Sequence, residues 1–419
     1  MAVDAVERAR FNREDAPKLA DQVGVPAPFK GESKQFAYFA DDHRLVLVVS
    51  EHVGDVGEAL VFGLAEKNRN GRKVVLLLPK GREFATRQRA PWLVDEVRPE
   101  IWTYSKGRVT ECKQLSPEET IDAVLQWANG GKRGGPEAEL RAASITVDAT
   151  GFESATDPLV EWATSHTRLD PGHRQGERAW HCAGQKVLSF IVTKKELRVF
   201  AGIHDDQKNK KPTLVLLKDS VISASELQVV RNKVDEGIRL RLEGKYLKPD
   251  EHWMQSVLRR YPILVGVEDS ALREVPAWRP SDKDKTFRRG YLDIVGLDGH
   301  GNIRLVEAKL AKSTDQMTLL QGIDYCVWAS AYIDALRSKL SAPAASQLRL
   351  HYAVGKVGDS QRLLPPRIYN YRYAIDTDKI PFVFHEIEAW DNEAPDPRAL
   401  ISSKALAKNE LPKGIQSPS

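Results

Sequence analysis

The first third of the chain changes repeatedly between short apolar runs and stretches with helical spacing. Arg44 to Val49 and Lys73 to Leu78 are apolar runs of the length of a buried strand. Residues 55–68, between them, have the apolar spacing of a helix. Strand, helix and strand in this order predict a small α/β domain over residues 35–130.

The middle of the chain has a different pattern. Residues 186–203 contain two β-rich runs separated by a short charged turn, which predicts a β-hairpin in an α+β domain over residues 140–222. A connecting helix is predicted over residues 223–245. Ser223 can cap this helix, and Glu226 stands at the capping-box position.

Composition predicts the remaining domain boundaries. Residues 1–34 form an N-terminal extension, and the glycine-rich stretch from Asn129 to Pro136 is predicted to be a linker. A third domain is predicted over residues 246–400. The polar residues 401–419 are predicted to be a disordered tail.

Charge and cysteine content restrict the class of protein only weakly. The net charge of +4 and the pI of about 8.7 permit a nucleic-acid partner without indicating one. No signal peptide and no membrane span is recognised, so a soluble cytoplasmic protein without a membrane partner is expected. The three scattered cysteines argue against disulfides, and the cluster of His166, His173, His181 and Cys182 matches no structural zinc spacing.

The strongest chemical pattern lies in residues 289–310, RGYLDIVGLDGHGNIRLVEAKL, which predict two strands around a tight turn. Residues two apart in a strand share a face, so Glu307 and Lys309 project together about 7 Å apart. Pairing across the hairpin can bring Asp293 beside them. Two crowded carboxylates repel, and a divalent cation relieves that repulsion. Oxygen ligands of this kind suit Mg²⁺ or Mn²⁺.

A helix predicted from Ser313 carries two further polar residues. Gln321 and Tyr325 are four apart and share one helix face, where an amide and a phenol can orient a phosphate or a water molecule. Lys309 can help to deprotonate an attacking water or stabilise the charge that develops on phosphorus.

Asp293, Glu307-Ala-Lys309 and Gln321-x-x-x-Tyr325 together resemble the PD-(D/E)xK nuclease superfamily, and most closely its RecB-type and NucS-type branches. Leu292 replaces the proline of the superfamily's name. The resemblance implies a restriction-endonuclease-like α/β core in residues 246–400, with a helix, a central mixed sheet and a second helix. It covers about 100 to 150 residues, and no family is recognised before residue 246.

The resemblance also implies the site residues. Asp293, Glu307 and the backbone carbonyl of Ala308 would bind the metal, with Glu251 of a preceding helix as a further ligand. Gln255, one turn along that helix, is the alternative to Glu251. The catalytic residues would be Asp293, Glu307, Lys309, Gln321 and Tyr325.

The expected function is therefore a Mg²⁺-dependent or Mn²⁺-dependent nuclease, acting on DNA as an endonuclease in bacterial defence or repair. Arg288 and Arg289 precede the predicted hairpin and can contact phosphates, or can simply be solvated. The N-terminal domains would select the substrate or bind a small-molecule or protein regulator. A homodimer is expected if both strands of a duplex are cut. An effector nuclease for RNA or single-stranded DNA, and a non-catalytic nucleic-acid-binding module, remain the alternatives.

Overall fold

The protein is a mixed α/β molecule, and the described residues form three β-sheets. No helix in the part of the chain described here is long and apolar enough to cross a membrane. The structure is a computed structural model that describes residues 2–25, 29–32, 35–52, 56–129, 153–174, 177–192, 197–203, 213–217, 222–243, 250–268, 271–282, 285–310, 317–356, 374–391 and 402–406.

The first unit comprises the described residues up to 129. Its six-stranded sheet has the order β1-β2-β3-β4-β5-β6, in which β3, β4 and β5 are parallel and the other neighbours antiparallel. Its elements are α1 (Ala2–Glu14), α2 (Ala16–Gln22), β1 (Phe29–Glu32), β2 (Phe36–Ala40), β3 (Arg44–Val49), α3 (Gly57–Asn70), β4 (Lys73–Pro79), α4 (Phe84–Arg89), a 3₁₀ turn (Ala90–Trp92), β5 (Glu100–Ser105), β6 (Arg108–Glu111) and α5 (Pro117–Asn129).

Helices cover both faces of this sheet. Leu47 of β3 packs in the same core as Leu60 of α3, while Val46 and Val48 pack with Leu19 of α2 on the opposite face. Strands buried on both faces appear in sequence as continuous apolar runs, which explains the composition of β3 and β4.

The middle unit comprises the described residues from 153 to 243. Its sheet is an antiparallel meander in the order β11-β10-β9-β8-β7. The predicted hairpin is confirmed, because Leu197 pairs with Val192 across β9 and β10. The elements are α6 (Glu153–Ser165), β7 (Asp170–Arg174), β8 (Glu177–Cys182), β9 (Gln185–Val192), β10 (Leu197–Ala201), β11 (Thr213–Leu217) and α7 (Ala224–Glu243).

The third unit comprises the described residues from 250 to 406. Its six-stranded sheet has the order β12-β13-β14-β15-β16-β17, in which β14, β15 and β16 are parallel. The elements are α8 (Glu251–Arg260), a 3₁₀ turn (Pro262–Val265), β12 (Leu272–Ser281), β13 (Thr286–Leu297), β14 (Ile303–Leu310), α9 (Thr318–Ala331), α10 (Ile333–Leu340), β15 (Leu348–Gly355), β16 (Phe382–Glu388) and β17 (Ser402–Leu406).

Two large cores join these units. One contains Leu60 of α3 together with Trp278, Leu305 and Trp328 of the third unit. The other joins the middle unit to the opposite face of the third sheet, where Val306 and Ala308 of β14 pack. The strand that carries Glu307 and Lys309 therefore lies between two hydrophobic layers, which restricts its movement.

The unit limits differ from those predicted in three places. α1, α2 and β1 belong to the first unit, so residues 1–34 are not a separate extension. α7 packs on the middle sheet through Val230 and Val234 and is not only a connector. β17 extends the third sheet into the predicted tail, because its backbone groups form hydrogen bonds with β16. The local composition does not reveal this long-range pairing. The predicted glycine-rich linker lies beyond Asn129, outside the described residues.

Candidate active site

Asp293 is held where strands β13 and β14 separate. Their antiparallel pairing runs from Leu297 and Ile303 to Ile294 and Val306. Beyond this point, Oδ2 of Asp293 accepts a hydrogen bond of 2.8 Å from the backbone N–H of Ala308. The carboxylate thus satisfies a backbone donor that has left the ladder, and its position is set by the backbone.

Glu307 and Lys309 lie on one face of β14, as the strand period predicts. Nζ of Lys309 is 3.3 Å from Oε1 of Glu307 and 2.7 Å from Oε1 of Glu251. Glu251 occupies the first turn of α8, and that turn is capped by Asp250, which accepts a hydrogen bond from the N–H of Trp253. The structure therefore brings together Asp293, Glu307, Lys309 and Glu251.

Gln255 does not contact the lysine in the same way. Its side chain lies one turn further along α8, within 3.5 Å of Glu251 and 3.2 Å of His252. Of the two alternatives in this helix, Glu251 is the residue that reaches Lys309.

The two strand carboxylates lie in an environment that disfavours their charge. Asp293 is 9% exposed and Glu307 is 4% exposed. Burial raises the pKa of Asp293 above its usual value, although the hydrogen bond from Ala308 and the charge of Lys309 oppose the rise. Burial also raises the pKa of Glu307, and the neighbouring charge of Asp293 raises it further.

The environment of Lys309 favours its charged form. Burial opposes its charge, but the carboxylates of Glu307 and Glu251 outweigh burial and raise the pKa of the ammonium above its usual value. Lys309 is therefore protonated near neutral pH. Of the two roles that the sequence left open, stabilising developing negative charge agrees with this state better than accepting a proton.

Glu307 retains one oxygen without a partner. Oε1 contacts Lys309, whereas the buried Oε2 accepts no hydrogen bond from the described residues. An unsatisfied buried polar atom costs about 1–3 kcal/mol, and more when it is charged. An oxygen of this kind, beside a second buried carboxylate, suits a cation as an additional partner.

The carboxylates of the site do not by themselves form a complete set of metal ligands. In the described part of the chain, no three or more His, Cys, Asp or Glu residues form a group that could hold a metal ion. Lys309 lies between Glu251 and Glu307 and neutralises the third carboxylate. The donor set is then Asp293, Glu307 and the carbonyl of Ala308. This set fits Mg²⁺, which usually binds through one or two carboxylates and retains water.

The predicted polar face of α9 lies beside the same site. The Gln321 amide donates from Nε2 to Oε1 of Glu307 at 3.1 Å and accepts at Oε1 from Nη1 of Arg279 at 2.7 Å. The hydroxyl of Tyr325 donates to the backbone carbonyl of Tyr291 at 3.1 Å. Burial raises the pKa of the Tyr325 phenol, so it remains a hydrogen-bond donor near neutral pH.

Arg279 is a site residue that sequence reasoning missed. It lies in β12, where it pairs with Arg288 across the hairpin, and its guanidinium lies 5.8 Å from the ring centre of Tyr325. Nothing in its local sequence marks it, because its place beside Gln321 results from the β12–β13 register and the packing of α9.

Arg288 and Arg289 differ in structure from the prediction. Both are exposed residues within β13 and not in a loop before it, because pairing with β12 extends the strand back to Thr286. The guanidinium of Arg289 lies 5.1 Å from the ring centre of Tyr291 and 5.9 Å from that of Trp278. This surface is continuous with the site through Arg279.

A buried ionic network behind the site was also missed. Asp170 of β7 is paired with Nε of Arg259 at 3.0 Å and with Nη1 of Arg273 at 2.8 Å. Ser256 donates to the same carboxylate at 3.2 Å. Arg259 is close enough to Asp293 for its charge to oppose the rise in that residue's pKa. The middle unit thus supports the helix that carries Glu251.

Comparisons with known proteins do not assign the chain to a family. No protein-family model matches it, and no curated protein matches its sequence.

Proposed function

We propose that the protein is a metal-dependent nuclease that hydrolyses phosphodiester bonds, with DNA as its substrate. The proposal is carried by one observation: two adjacent buried carboxylates, Asp293 and Glu307, lie beside a protonated lysine, and one of their oxygens has no partner among the described residues. Such an arrangement is costly for a folded protein unless a cation and an anionic substrate complete it.

The architecture of the third unit supports the same proposal. Helix α8 precedes three antiparallel strands, and α9 then leads to the parallel strand β15. This order agrees with what the resemblance to PD-(D/E)xK nucleases implies for a restriction-endonuclease-like core. The resemblance also supports DNA as substrate, in bacterial defence or repair.

The metal would be Mg²⁺ or Mn²⁺, held by Asp293, Glu307 and the carbonyl of Ala308. When bound, it would offset the repulsion between the carboxylates, polarise a phosphate and increase the acidity of water.

The chain's own polar groups position the reaction. The Lys309 ammonium lies against Glu307 and would stabilise negative charge that develops on the phosphate. Gln321 links Glu307 to Arg279 through two hydrogen bonds, which holds the carboxylate in one orientation and directs a guanidinium toward the same region. The burial of these groups strengthens their electrostatic interactions.

The experiment is a cleavage assay with the full chain on single-stranded, duplex and branched DNA and on RNA, with Mg²⁺, with Mn²⁺ and with a chelator. Asp293→Asn should abolish cleavage. Asp334→Asn is the matched control, because Asp334 is an exposed carboxylate that pairs with Arg337 on α10. The proposal is supported if the wild type and the Asp334→Asn control show metal-dependent cleavage of DNA and Asp293→Asn does not.

Other outcomes would replace the proposal. Cleavage of RNA or single-stranded DNA alone would indicate an effector nuclease, and binding without metal-dependent cleavage would indicate a non-catalytic module. Equal cleavage by wild type and Asp293→Asn would show that the activity does not belong to this site.

A further inference from the structure

The first and third sheets have the same topology. In each, three strands joined by antiparallel pairing are followed by two further parallel strands and one antiparallel edge strand. A helix on the same side connects the third and fourth strands in both, α3 in the first unit and α9 in the third. The two units are therefore built on one plan.

The hairpin turns of the two units are held in a similar way, although the second is one residue longer. Oδ1 of Asp41 accepts hydrogen bonds from the two backbone N–H groups of His43 and Arg44, and Oδ1 of Asp298 accepts from those of His300 and Asn302. Each aspartate follows the last residue of its strand.

The strand pairs beside these turns give the correspondence. Ala40 pairs with Leu45 in the first unit, and Leu297 pairs with Ile303 in the third. Counting along β3 and β14 from Leu45 and Ile303, Val49 corresponds to Glu307. The burial agrees, because alternate residues of both strands face the same shared core.

A backbone bridge joins the first and third units. Leu93 and Ile375 form an isolated antiparallel bridge between the segments that precede β5 and β16. The N–H of Val94 donates to the carbonyl of Ala374, and the N–H of Asp376 donates to that of Trp92. The first and third units therefore contact each other through backbone hydrogen bonds as well as through the side chains of the shared core.

The active-site carboxylates are absent from the first unit. By the same register, Phe36 of β2 corresponds to Asp293 and Val49 of β3 to Glu307, and these two residues pair with each other. Both are buried in the shared core. Glu51 stands at the position of Lys309. At the described positions that correspond to Asp293 and Glu307, the first unit therefore has no carboxylates with which to bind a cation or cleave a phosphodiester.

We propose that the chain is an internal pseudo-dimer with a single catalytic centre, in which the first unit occupies the place of a second nuclease subunit, so that one chain incises one DNA strand at a time. The inference rests on the proposed nuclease function. The face by which another copy of the third unit would pair is already covered, since it contains the shared core and the buried ion pair of Arg89 and Asp324.

The test uses supercoiled plasmid in excess, with the full chain and Mg²⁺ or Mn²⁺, and measures nicked and linear products over time. Sedimentation measures the mass of the same preparation. Wild-type chain is then mixed with an excess of Asp293→Asn. We expect a monomer, nicked circles as the first product, linear DNA only from later independent incisions, and a cleavage rate that follows the wild-type concentration alone.

A dimeric mass, linear DNA from the first time points, or suppression of cleavage by the inactive chain would overturn the inference while leaving the nuclease function intact. If the wild type shows no metal-dependent cleavage beyond Asp293→Asn, the proposed function fails, and single-strand incision fails with it.

Discussion

Arg89 of α4 and Asp324 of α9 form a two-point ion pair across the boundary between the first and third units. Nε and Nη2 of the guanidinium donate to the two carboxylate oxygens, each at 2.8 Å, and both side chains are almost fully buried. Asp324 adjoins Tyr325 in the helix that also presents Gln321 to Glu307. The same helix therefore serves both the unit boundary and the active site.

The ion pair predicts a large effect on stability when one partner is removed. Asp324→Ala leaves a buried guanidinium without its counter-charge and should reduce the free energy of unfolding by about 3–5 kcal/mol. Replacing both residues by leucine should recover much of this loss. Denaturant unfolding provides the measurement.

The matched control is Asp334→Ala, since Asp334 pairs with Arg337 on an exposed face and its side chain is 92% exposed. This change should cost less than about 1 kcal/mol. An Asp324→Ala variant that is as stable as this control would contradict the role assigned to the buried pair.

The active site predicts that metal binding and catalysis can be separated. Asp293→Ala and Glu307→Ala should lose divalent-cation affinity and cleavage together. Lys309→Ala should still bind Mn²⁺, since a protonated lysine offers no lone pair, but should cleave at least about 100-fold more slowly. Calorimetric titration and single-turnover cleavage measure the two properties. Cleavage by Lys309→Ala at nearly the wild-type rate would refute the role of the lysine.

Gly290 predicts a test that removes no polar group. A Cβ at this position would lie 3.1 Å from the Tyr325 hydroxyl and 3.2 Å from Nε of Arg279. Gly290→Ala should displace both side chains and slow cleavage by about tenfold or more, because small misplacements of positioning groups are costly. Gly299→Ala is the control, since a Cβ there meets no atom within 4 Å. Equal cleavage rates for the two variants would show that the positions of Arg279 and Tyr325 do not matter for cleavage.

The exposed arginines predict a change in salt dependence. If Arg288 and Arg289 contact phosphates, the double alanine variant should bind DNA more weakly, to a similar extent for every sequence. The slope of log affinity against log salt concentration should become shallower, because fewer counterions are released. Arg10→Ala, on exposed α1, is the control. An unchanged slope would show that these arginines do not contact phosphates.

A buried histidine pair in the third sheet predicts sensitivity to acid. Nδ1 of His351 lies 2.6 Å from Nε2 of His385, with the rings stacked. Burial lowers the pKa of both below the usual value, and the charge of Arg304 acts in the same direction. Both histidines stay neutral in the folded protein while the unfolded chain becomes protonated below about pH 6.5, so stability is present above that pH and is lost as pH falls.

Each histidine that stays neutral in the folded protein should lower the free energy of unfolding by about 2 kcal/mol at pH 5 relative to neutral pH. Thermal unfolding between pH 7 and pH 5 should therefore show a smaller loss in the double leucine variant of His351 and His385 than in the wild type. His300→Gln, in the exposed turn after β13, should behave like the wild type. Equal acid sensitivity in the double variant would refute the assignment.

Several local features follow from sequence because a few neighbouring residues determine them. The cap predicted at Ser223 forms as expected, since its hydroxyl accepts a hydrogen bond from the N–H of Glu226 and the Glu226 carboxylate accepts one from the N–H of Ser223. The shared face of Glu307 and Lys309 is equally local, since the two-residue period of a strand requires it. Such features need only short-range geometry.

Other features were decided by tertiary structure alone. Arg279 reaches Gln321 through strand register, and Asp170 reaches Arg259 across 89 positions of sequence. No local pattern marks these pairs, because each is selected by how whole elements pack and by the need to compensate a buried charge.

The relation between the first and third units shows the same division. The sequence alone predicts alternating strands and helices in both units, and it places Asp293 and Glu307 in the predicted hairpin of the third. That Phe36 stands where Asp293 does, and that Leu93 pairs with Ile375, was decided only when the sheets formed and packed. Strand register and the contact between units depend on long-range hydrogen bonds and shared burial, which no short segment of sequence contains.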